Sequence, residues 1–389
     1  MLHHNISFSK EELERYSRHL IIPEFNIEGQ KKLKASSVLV IGSGGLGSPL
    51  LLYLAAAGIG RIGIVDFDTV EVSNLQRQVL FGVQDVGVSK AVAASKRLES
   101  LNPHITIEVH DTMFTVDNAR ELVKQYDVVA DGTDNFPTRY LVNDACVLED
   151  KVNVYASIFR FEGQASVFNE LLPDGSRGPN YRDLFPSPPP PGLVPSCAEG
   201  GVIGVLPGIL GSVQALEVLK VISGVGDTLS GRLFLFDATG FTSRILKVRK
   251  NRNNPLNGKN PTQTELINYE KFCGISEKSE PHREVAEMSV SELHKWRKEG
   301  VVHLLIDVRE PYEYGIAEIG GKLIPLATVL ESTDRIPKDI PVVVQCKSGV
   351  RSARAIRELK EKHGYTNLIN LTGGILGWQK EIDPSLARY

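Results

Sequence analysis

The apolar run Val38–Ile41 stops at Gly42-Ser43-Gly44-Gly45-Leu46-Gly47, and a helical pattern follows through Ala57. A strand that turns through glycines into a helix leaves few folds open, because the chain must then cross back over a sheet. Further strand-like runs, Ser37–Ile41, Arg61–Val65, Ile105–Val109 and Asp127–Ala130, alternate with helical patterns. That alternation predicts an α/β fold with a mainly parallel sheet and right-handed crossovers. Leu304–Asp307 and Val342–Gln345 predict a second, smaller α/β unit.

A chain of 389 residues holds two or three domains of ordinary size. Residues 249–264 carry five Asn and no apolar periodicity, and 276–284 is similar, so both read as linker. Between them Leu266, Ile267, Tyr269 and Phe272 can dock as a tether. The expected layout is therefore 1–250, a linker over 251–284, and 285–389. A long loop is expected over roughly 172–200, and its length points to function.

With 42% hydrophobic and 23% charged residues the composition is that of a soluble globular protein, and the net charge of −3 argues against broad nucleic-acid binding. No segment reads as a signal peptide. The apolar stretch Gly200–Leu216 contains Pro207 and Gln214 and is followed by Glu217, so it reads as a buried helix rather than a membrane span. The four cysteines, Cys146, Cys197, Cys273 and Cys346, form no CxxC, and a reducing, cytoplasmic setting is expected.

The glycine turn fits G-x-G-x-x-G in strand–turn–helix context, with Asp66 at the end of the next strand. Glycines let backbone approach phosphate, and the acid can hold a ribose hydroxyl. NAD, FAD and ATP enzymes all use this pattern. The residues downstream separate them: Asp66-Phe67-Asp68, then Asn74 and Arg77 within SNLQRQ, Lys90 opening a helix, and Asp131-Gly132-Thr133-Asp134-Asn135 closing a strand. A dehydrogenase has no need of a guanidinium, an ammonium and a further carboxylate converging on one site. In nucleotidyl transfer Arg77 and Lys90 can neutralise triphosphate oxygens while Asp134 holds Mg²⁺. Asp134 could equally cap the helix that follows it.

A second constellation is Cys346-Lys347-Ser348-Gly349-Val350-Arg351, between a β-branched run and a helical pattern over Ala353–Lys362. This puts a thiol at the carboxyl end of a strand, at a loop opening into a helix. Backbone N–H groups, the helix N-terminus and the charges of Lys347 and Arg351 favour a thiolate or a persulfide there. Arg309, after Asp307, can steer anionic sulfur donors or pair with Glu310 or Glu313. Cys146, among apolar neighbours, and Cys273 read as structural.

At RYSRHLIIP, GSGGLGS, DFDTVEVSNLQRQ, VGVSKA, LNPHI, DGTDN and SCAEGGVIGVLPG the chain resembles the MoeB/ThiF branch of the ubiquitin-activating superfamily, over about Leu13 to Lys250. From about Val285 it is similar to rhodanese domains, so the whole resembles MoeZ-type fusions of an adenylation domain with a sulfurtransferase. The resemblance implies ATP-dependent adenylation of the C-terminal glycine of a ubiquitin-like sulfur-carrier protein ending in Gly-Gly. It implies a nucleotide site of Gly42, Gly44, Gly45, Gly47, Asp66, Asp68, Asn74, Arg77 and Lys90, with Mg²⁺ on Asp134. A homodimer is implied, with Arg18 reaching the triphosphate of the partner subunit. MoeB-type enzymes carry two CxxC pairs for structural zinc, and here those stretches read Asn180-Tyr181-Arg182-Asp183 and Asn251-Arg252-Asn253-Asn254, so no structural zinc is expected. Ile316-Ala317-Glu318-Ile319 stands where rhodaneses often have a His-Ile pair.

The implied chemistry runs through Cys346 as persulfide carrier, loaded by a cysteine desulfurase or thiosulfate. Its terminal sulfur attacks the acyl-adenylate, and a second thiol then releases the thiocarboxylate. Cys197, in the loop Val194–Gly201, is the candidate for that thiol; its other reading is a small buried hydrophobe. Three alternatives stand beside this one: a dehydrogenase with a redox domain, a carrier-docking scaffold with a vestigial sulfur loop, and adenylation with sulfur supplied by another protein.

Overall fold

The computed structural model describes residues 6–189, 200–274 and 285–389. The chain divides into two compact units, residues 1–277 and 278–389.

In the first unit five parallel strands, β1 (Ser37–Ile41), β2 (Arg61–Val65), β3 (Thr106–His110), β4 (Val128–Asp131) and β5 (Val152–Phe159), are continued by three antiparallel ones. These are β6 (Glu162–Phe168), β7 (Arg232–Asp237) and β8 (Thr242–Lys247), giving the order β3-β2-β1-β4-β5-β6-β7-β8. The β1 and β2 bounds coincide with the predicted runs, while β3 and β4 each begin one residue later. The sheet is mainly parallel as expected, and the three antiparallel strands are the part the sequence does not single out.

Alternate residues of the strands serve opposite faces, as the two-residue period dictates. Val38 and Val40 pack with α1 (Gly47–Ala57) and α2 (Leu206–Ser223), whereas Leu39 and Ile41 pack with α3 (Phe136–Leu148). Strands covered on both faces become continuous apolar runs, which is why β1 is buried at every residue. Strand order turns over at β1, which pairs β2 on one side and β4 on the other. In open α/β sheets such a switch point opens a crevice at the strands' carboxyl ends. The register aligns Ile41 with both Val65 and Asp131, so Gly42, Asp66 and Gly132 emerge side by side.

The stretch expected to be a buried helix over Gly200–Leu216 forms α2 further along, over Leu206–Ser223. By length and composition this helix could cross a membrane, yet half of it is buried inside the unit. Its buried Gln214 is tied to the sheet: Nε2 donates to the carbonyls of Asp131 (2.8 Å) and Val154 (3.1 Å). The loop expected over 172–200 contains a short helix, Tyr181–Leu184, and its residues 190–199 lie outside the described residues.

Residues 249–264, for which composition predicts a linker, are instead packed on the first unit. Asn254 is 1% exposed and its Nδ2 donates to Asn180 Oδ1 (3.1 Å) and Asp183 Oδ1 (2.7 Å). The Asn251 N–H adds a bond to Asp183 Oδ1 at 2.8 Å, and Asn180 Nδ2 donates to Asn257 Oδ1 at 3.0 Å. The two stretches that replace the zinc pairs of the resembling enzymes therefore still meet, joined by amide and carboxylate hydrogen bonds. A polar segment escapes the linker expectation when buried partners satisfy its side chains. The tether docks as expected, with Leu266, Ile267, Tyr269 and Phe272 all in the core shared with α3.

The second unit is a five-stranded parallel sheet. Its strands are β9 (Ala286–Met288), β10 (Leu304–Asp307), β11 (Lys322–Leu323), β12 (Val342–Gln345) and β13 (Leu368–Leu371), in the order β11-β10-β12-β13-β9. Val342 and Val344 face a core shared with α4 (Val350–His363), and Val343 faces one shared with Leu293 and Trp378. Asp307 pairs with Gln345, so the chain leaves β10 and β12 at the same level.

Candidate functional site

The crevice at the switch point is lined by Gly42, Gly44, Gly45, Asp66, Asp68, Arg77, Lys90 and Asp134, together with residues of later loops. Gly42 has φ +89°, a conformation that a side chain would strain, and a Cβ on Gly47 would lie 2.0 Å from the Gly42 carbonyl oxygen. Gly47 thus lets the helix pack onto the turn and does not itself line the crevice.

Asp66 stiffens this floor. Its Oδ2 accepts from the Ser43 N–H (2.8 Å) and hydroxyl (2.7 Å), and its Oδ1 from the Asp68 N–H at 3.0 Å. Lys90, 6% exposed, donates to Asp68 Oδ2 at 2.9 Å. A buried ammonium needs such a partner, and a phosphate entering the crevice can take its place. Arg77 reaches the crevice with its Nη1 on the Ser73 carbonyl at 3.2 Å. Asp134 is exposed at the rim; the cap of α3 comes instead from Asn135, whose Oδ1 accepts from the Thr138 N–H at 2.9 Å. The capping alternative for Asp134 is therefore closed.

Two predicted residues do not join this group. Asn74 is buried outside the lining, its Oδ1 accepting from the Glu71 N–H at 3.1 Å to close a short turn. Arg18 is exposed on the helix Lys10–Leu20. Sequence reasoning missed Arg139, which lines the crevice while 7% exposed, donates from Nη2 to the Thr133 carbonyl (3.1 Å) and lies 5.5 Å from the Tyr155 ring centroid. Its position one helical turn after Asn135 was the available signal. Phe67, Gln78, Met113 and Phe114 complete the wall.

Cys346 lies directly after β12, 1% exposed. Its Sγ accepts from the Gly349 N–H at 3.1 Å, and the Ser352 hydroxyl is 3.4 Å away. That hydroxyl has one proton and sits 2.6 Å from Asn370 Oδ1, the closer acceptor. Gly349 adopts φ +100° to turn its N–H toward the sulfur and opens α4. Lys347 and Ser348 follow the thiol, and Val350 is exposed.

The loop is less positive than the sequence implied. Arg351 forms a two-pronged pair with Glu313, both N···O distances 2.7 Å. Burial works against ionisation of Glu313, but the Arg351 hydrogen bonds, the Glu310 N–H and the charges of Arg351 and Arg309 together outweigh it and hold the carboxyl below its ordinary 4.5. Arg309 is fully buried and held by Asp307, with Nε–Oδ1 at 2.9 Å, so it faces no incoming donor. Neither Glu310 nor the Glu313 carboxylate is its partner; Glu313 offers only its carbonyl, at 3.3 Å. The Gly349 N–H at the α4 N-terminus thus stands closest to the thiol.

Cys146 is fully buried, and burial pushes its thiol well up. Burial likewise pushes Cys273 up to about 11. Both read as structural, whereas Cys197 lies outside the described residues.

Residues 16–257 match the ThiF family, and residues 289–381 match the rhodanese-like domain. The chain belongs to the ThiF family. This ThiF-family chain is 50% identical over 387 residues to a Mycobacterium tuberculosis protein named probable adenylyltransferase/sulfurtransferase MoeZ, covering 98% of the chain and 97% of that protein. It is 54% identical over 268 residues to a Thermus thermophilus sulfur carrier protein adenylyltransferase, covering 69% of the chain and 99% of the relative. Among solved structures, E. coli MccB with MccA-N7isoASN aligns with a TM-score of 0.55 and 19% identity, covering 65% of this chain and 76% of that one. That likeness concerns the α/β fold alone.

Proposed function

We propose that this enzyme adenylates the C-terminal glycine of a ubiquitin-like sulfur carrier with ATP and then transfers sulfur to it from a persulfide on Cys346. The observation that carries the reading is the presence, in one chain, of two unlike sites. One is a phosphate crevice with Arg77, Lys90 and Asp134 added to the dinucleotide turn; the other is a thiol at a strand end that accepts the Gly349 N–H at the start of a helix.

A carboxylate is a poor acyl donor because oxide is a poor leaving group, and coupling to AMP replaces it with a phosphate. Asp66 accepts from the ribose hydroxyl, the glycine turn donates N–H groups to phosphate, and Arg77 and Lys90 stabilise the departing pyrophosphate. Lys90 leaves Asp68 to do so. Among the described residues no cluster of three or more His, Cys, Asp or Glu is present, so Asp134 offers one carboxylate. That donor set fits Mg²⁺ carried on the triphosphate with most of its waters, where it supplies charge neutralisation. Arg18, outside the crevice here, joins the phosphates in a homodimer, and Asn74 does so once its side chain leaves the Glu71 N–H.

Cys346 holds the transferable sulfur, whose terminal atom attacks the acyl carbon and expels AMP, leaving an acyl disulfide. A second thiol, for which Cys197 is proposed, attacks the Cys346 sulfur of that disulfide and frees the thiocarboxylate. The resulting Cys197–Cys346 disulfide returns to thiols at the expense of an external reductant. The reading includes a reducing, cytoplasmic setting, where thiol reductants return such a disulfide to thiols.

The test is the intact mass of a Gly-Gly-ended carrier after incubation with the enzyme, MgATP and a cysteine desulfurase or thiosulfate. Wild type should replace one carrier oxygen by sulfur, and Cys346→Ala should form adenylate and pyrophosphate but no thiocarboxylate. No adenylate with any carrier would overturn the reading.

A further inference from the structure

Arg351 lies in the first turn of α4, two residues past the Gly349 N–H that points at the Cys346 sulfur. A quarter of its side chain is exposed, so the guanidinium is reachable from solvent. Its partner Glu313 is 7% exposed, and each carboxylate oxygen accepts one Arg351 N–H at 2.7 Å. Glu313 is fixed in turn: its Oε2 accepts from the Glu310 N–H at 3.1 Å, and its carbonyl from Arg309 Nη1 at 3.3 Å. The Glu313 hydrogen bonds hold Arg351 above its ordinary range against the cost of burial, helped by the charges of Glu313 and Cys346. The guanidinium therefore lies within electrostatic reach of both the carboxylate and the thiol.

We propose that Glu313 is a positioning residue that sets which sulfur donors the loop accepts: it keeps Arg351 in a pair without net charge, and so disfavours dianionic donors such as thiosulfate relative to singly charged ones. This deepens the reading that Cys346 carries sulfur and rests on it. An unpaired guanidinium grips a dianion with two prongs, because its planar fork matches the spacing of the anion's oxygens. Here two prongs are occupied, and a dianion that reaches Arg351 also meets the Glu313 carboxylate. It must split a partly buried pair or settle for the remaining N–H groups. A donor with one negative charge is affected half as much, since Coulomb energy scales with the product of the charges. The chemistry is the same for both donors. The Cys346 thiolate attacks the outer sulfur, a new S–S bond forms, and the old bond's electron pair leaves with sulfite or a sulfinate.

The experiment measures thiocyanate formed from cyanide by the full-length protein with thiosulfate, a dianion, or methanethiosulfonate, a monoanion with the same transferable sulfur. Cyanide takes the terminal sulfur and returns the Cys346 thiolate. Glu313→Gln should lower the KM for thiosulfate on the order of tenfold and that for methanethiosulfonate only about threefold, its square root, with the change carried by KM rather than kcat. Glu313→Asp keeps the charge and should retain the wild-type ratio between the donors. Arg351→Gln should raise the thiosulfate KM, because the Glu313 charge then stands alone, and adding Glu313→Gln to it should return the value toward wild type. Lys347 is unchanged in every variant and cancels from the comparison. An unchanged thiosulfate KM in Glu313→Gln, or equal effects on both donors, would overturn the proposal. So would an Arg351→Gln protein with a thiosulfate KM at or below the wild-type value, which decides the matter should Glu313→Gln fold poorly. Thiosulfate binding to Cys346→Ala protein, followed by calorimetry, needs no sulfur transfer. Tighter binding on adding Glu313→Gln upholds the donor role even where wild type forms no thiocyanate, a result that sinks the sulfur-carrier reading alone; unchanged binding overturns the donor role.

Discussion

Replacing Asp144 by Asn should loosen the first unit more than any other conservative change in it. Asp144 is fully buried on α3 and accepts from Arg182 Nε (2.8 Å) and Nη2 (2.7 Å), Gln263 Nε2 (2.8 Å) and the Tyr269 hydroxyl (2.8 Å). Arg182 is 2% exposed, its guanidinium 5.2 Å from the Tyr140 ring centroid and 4.6 Å from that of Phe272. The Asn side chain keeps the volume and removes the charge, so the guanidinium remains buried without a counter-ion. Breaking one side of a buried pair costs about 3–5 kcal/mol, a fall in melting temperature on the order of 10 °C for a unit this large. Both tryptophans, Trp296 and Trp378, belong to the second unit, so their fluorescence provides an internal control. In urea, far-UV circular dichroism should show the first unit unfolding earlier while the tryptophan transition stays in place. Proteolysis within residues 250–268 should accelerate, because Gln263 and Tyr269 lose their anchor. A loss below about 1 kcal/mol, the range of solvent-exposed pairs, would refute the assignment of a desolvated pair. The double variant Asp144→Leu/Arg182→Met should recover most of the stability, since the cost lies in the orphaned charge rather than in the missing attraction.

Gly47→Ala should abolish ATP binding measured by calorimetry, because its Cβ would sit 2.0 Å from the Gly42 carbonyl and push the turn out of shape. Glu313 has a folded-state value held below its ordinary 4.5, so its contribution to stability is present above that value and is lost as pH falls through the folded one. Tryptophan-monitored melting of the second unit should therefore weaken in acid below that point, and Glu313→Gln should flatten this dependence. Cys146 and Cys273, both buried and pushed upward, should resist iodoacetamide in the native protein and react only after denaturation, as peptide mass spectrometry would show.

The sequence was most legible where a local signal coincides with a local cause. β1, β2, β10 and β12 begin and end as predicted because each is a short apolar run stopped by glycine, aspartate or a turn. The crevice residues Asp66, Arg77, Lys90 and Asp134 were found because each follows a strand or opens a helix, positions that topology gathers at one end of the sheet. What escaped depends on partners distant in sequence. Composition marks 249–264 as unpacked, and only the folded chain brings Asp183 to Asn251 and Asn254. Arg351 reads as a free charge until Glu313, on another helix, meets it. Arg139 sits in no motif, and its role comes from the wall it happens to reach.

The amide and carboxylate clasp that joins Asn180 and Asp183 to Asn251 and Asn254 has a chemical consequence for a protein that handles sulfane sulfur. Thiolates that ligate zinc are themselves nucleophiles toward persulfides and disulfides, and a metal-bound clasp ties folding to metal supply. Oxygen and nitrogen side chains cannot be persulfidated, oxidised to disulfides or stripped by a chelator. The clasp is thereby inert to sulfur transfer, and its own hydrogen bonds form without a metal.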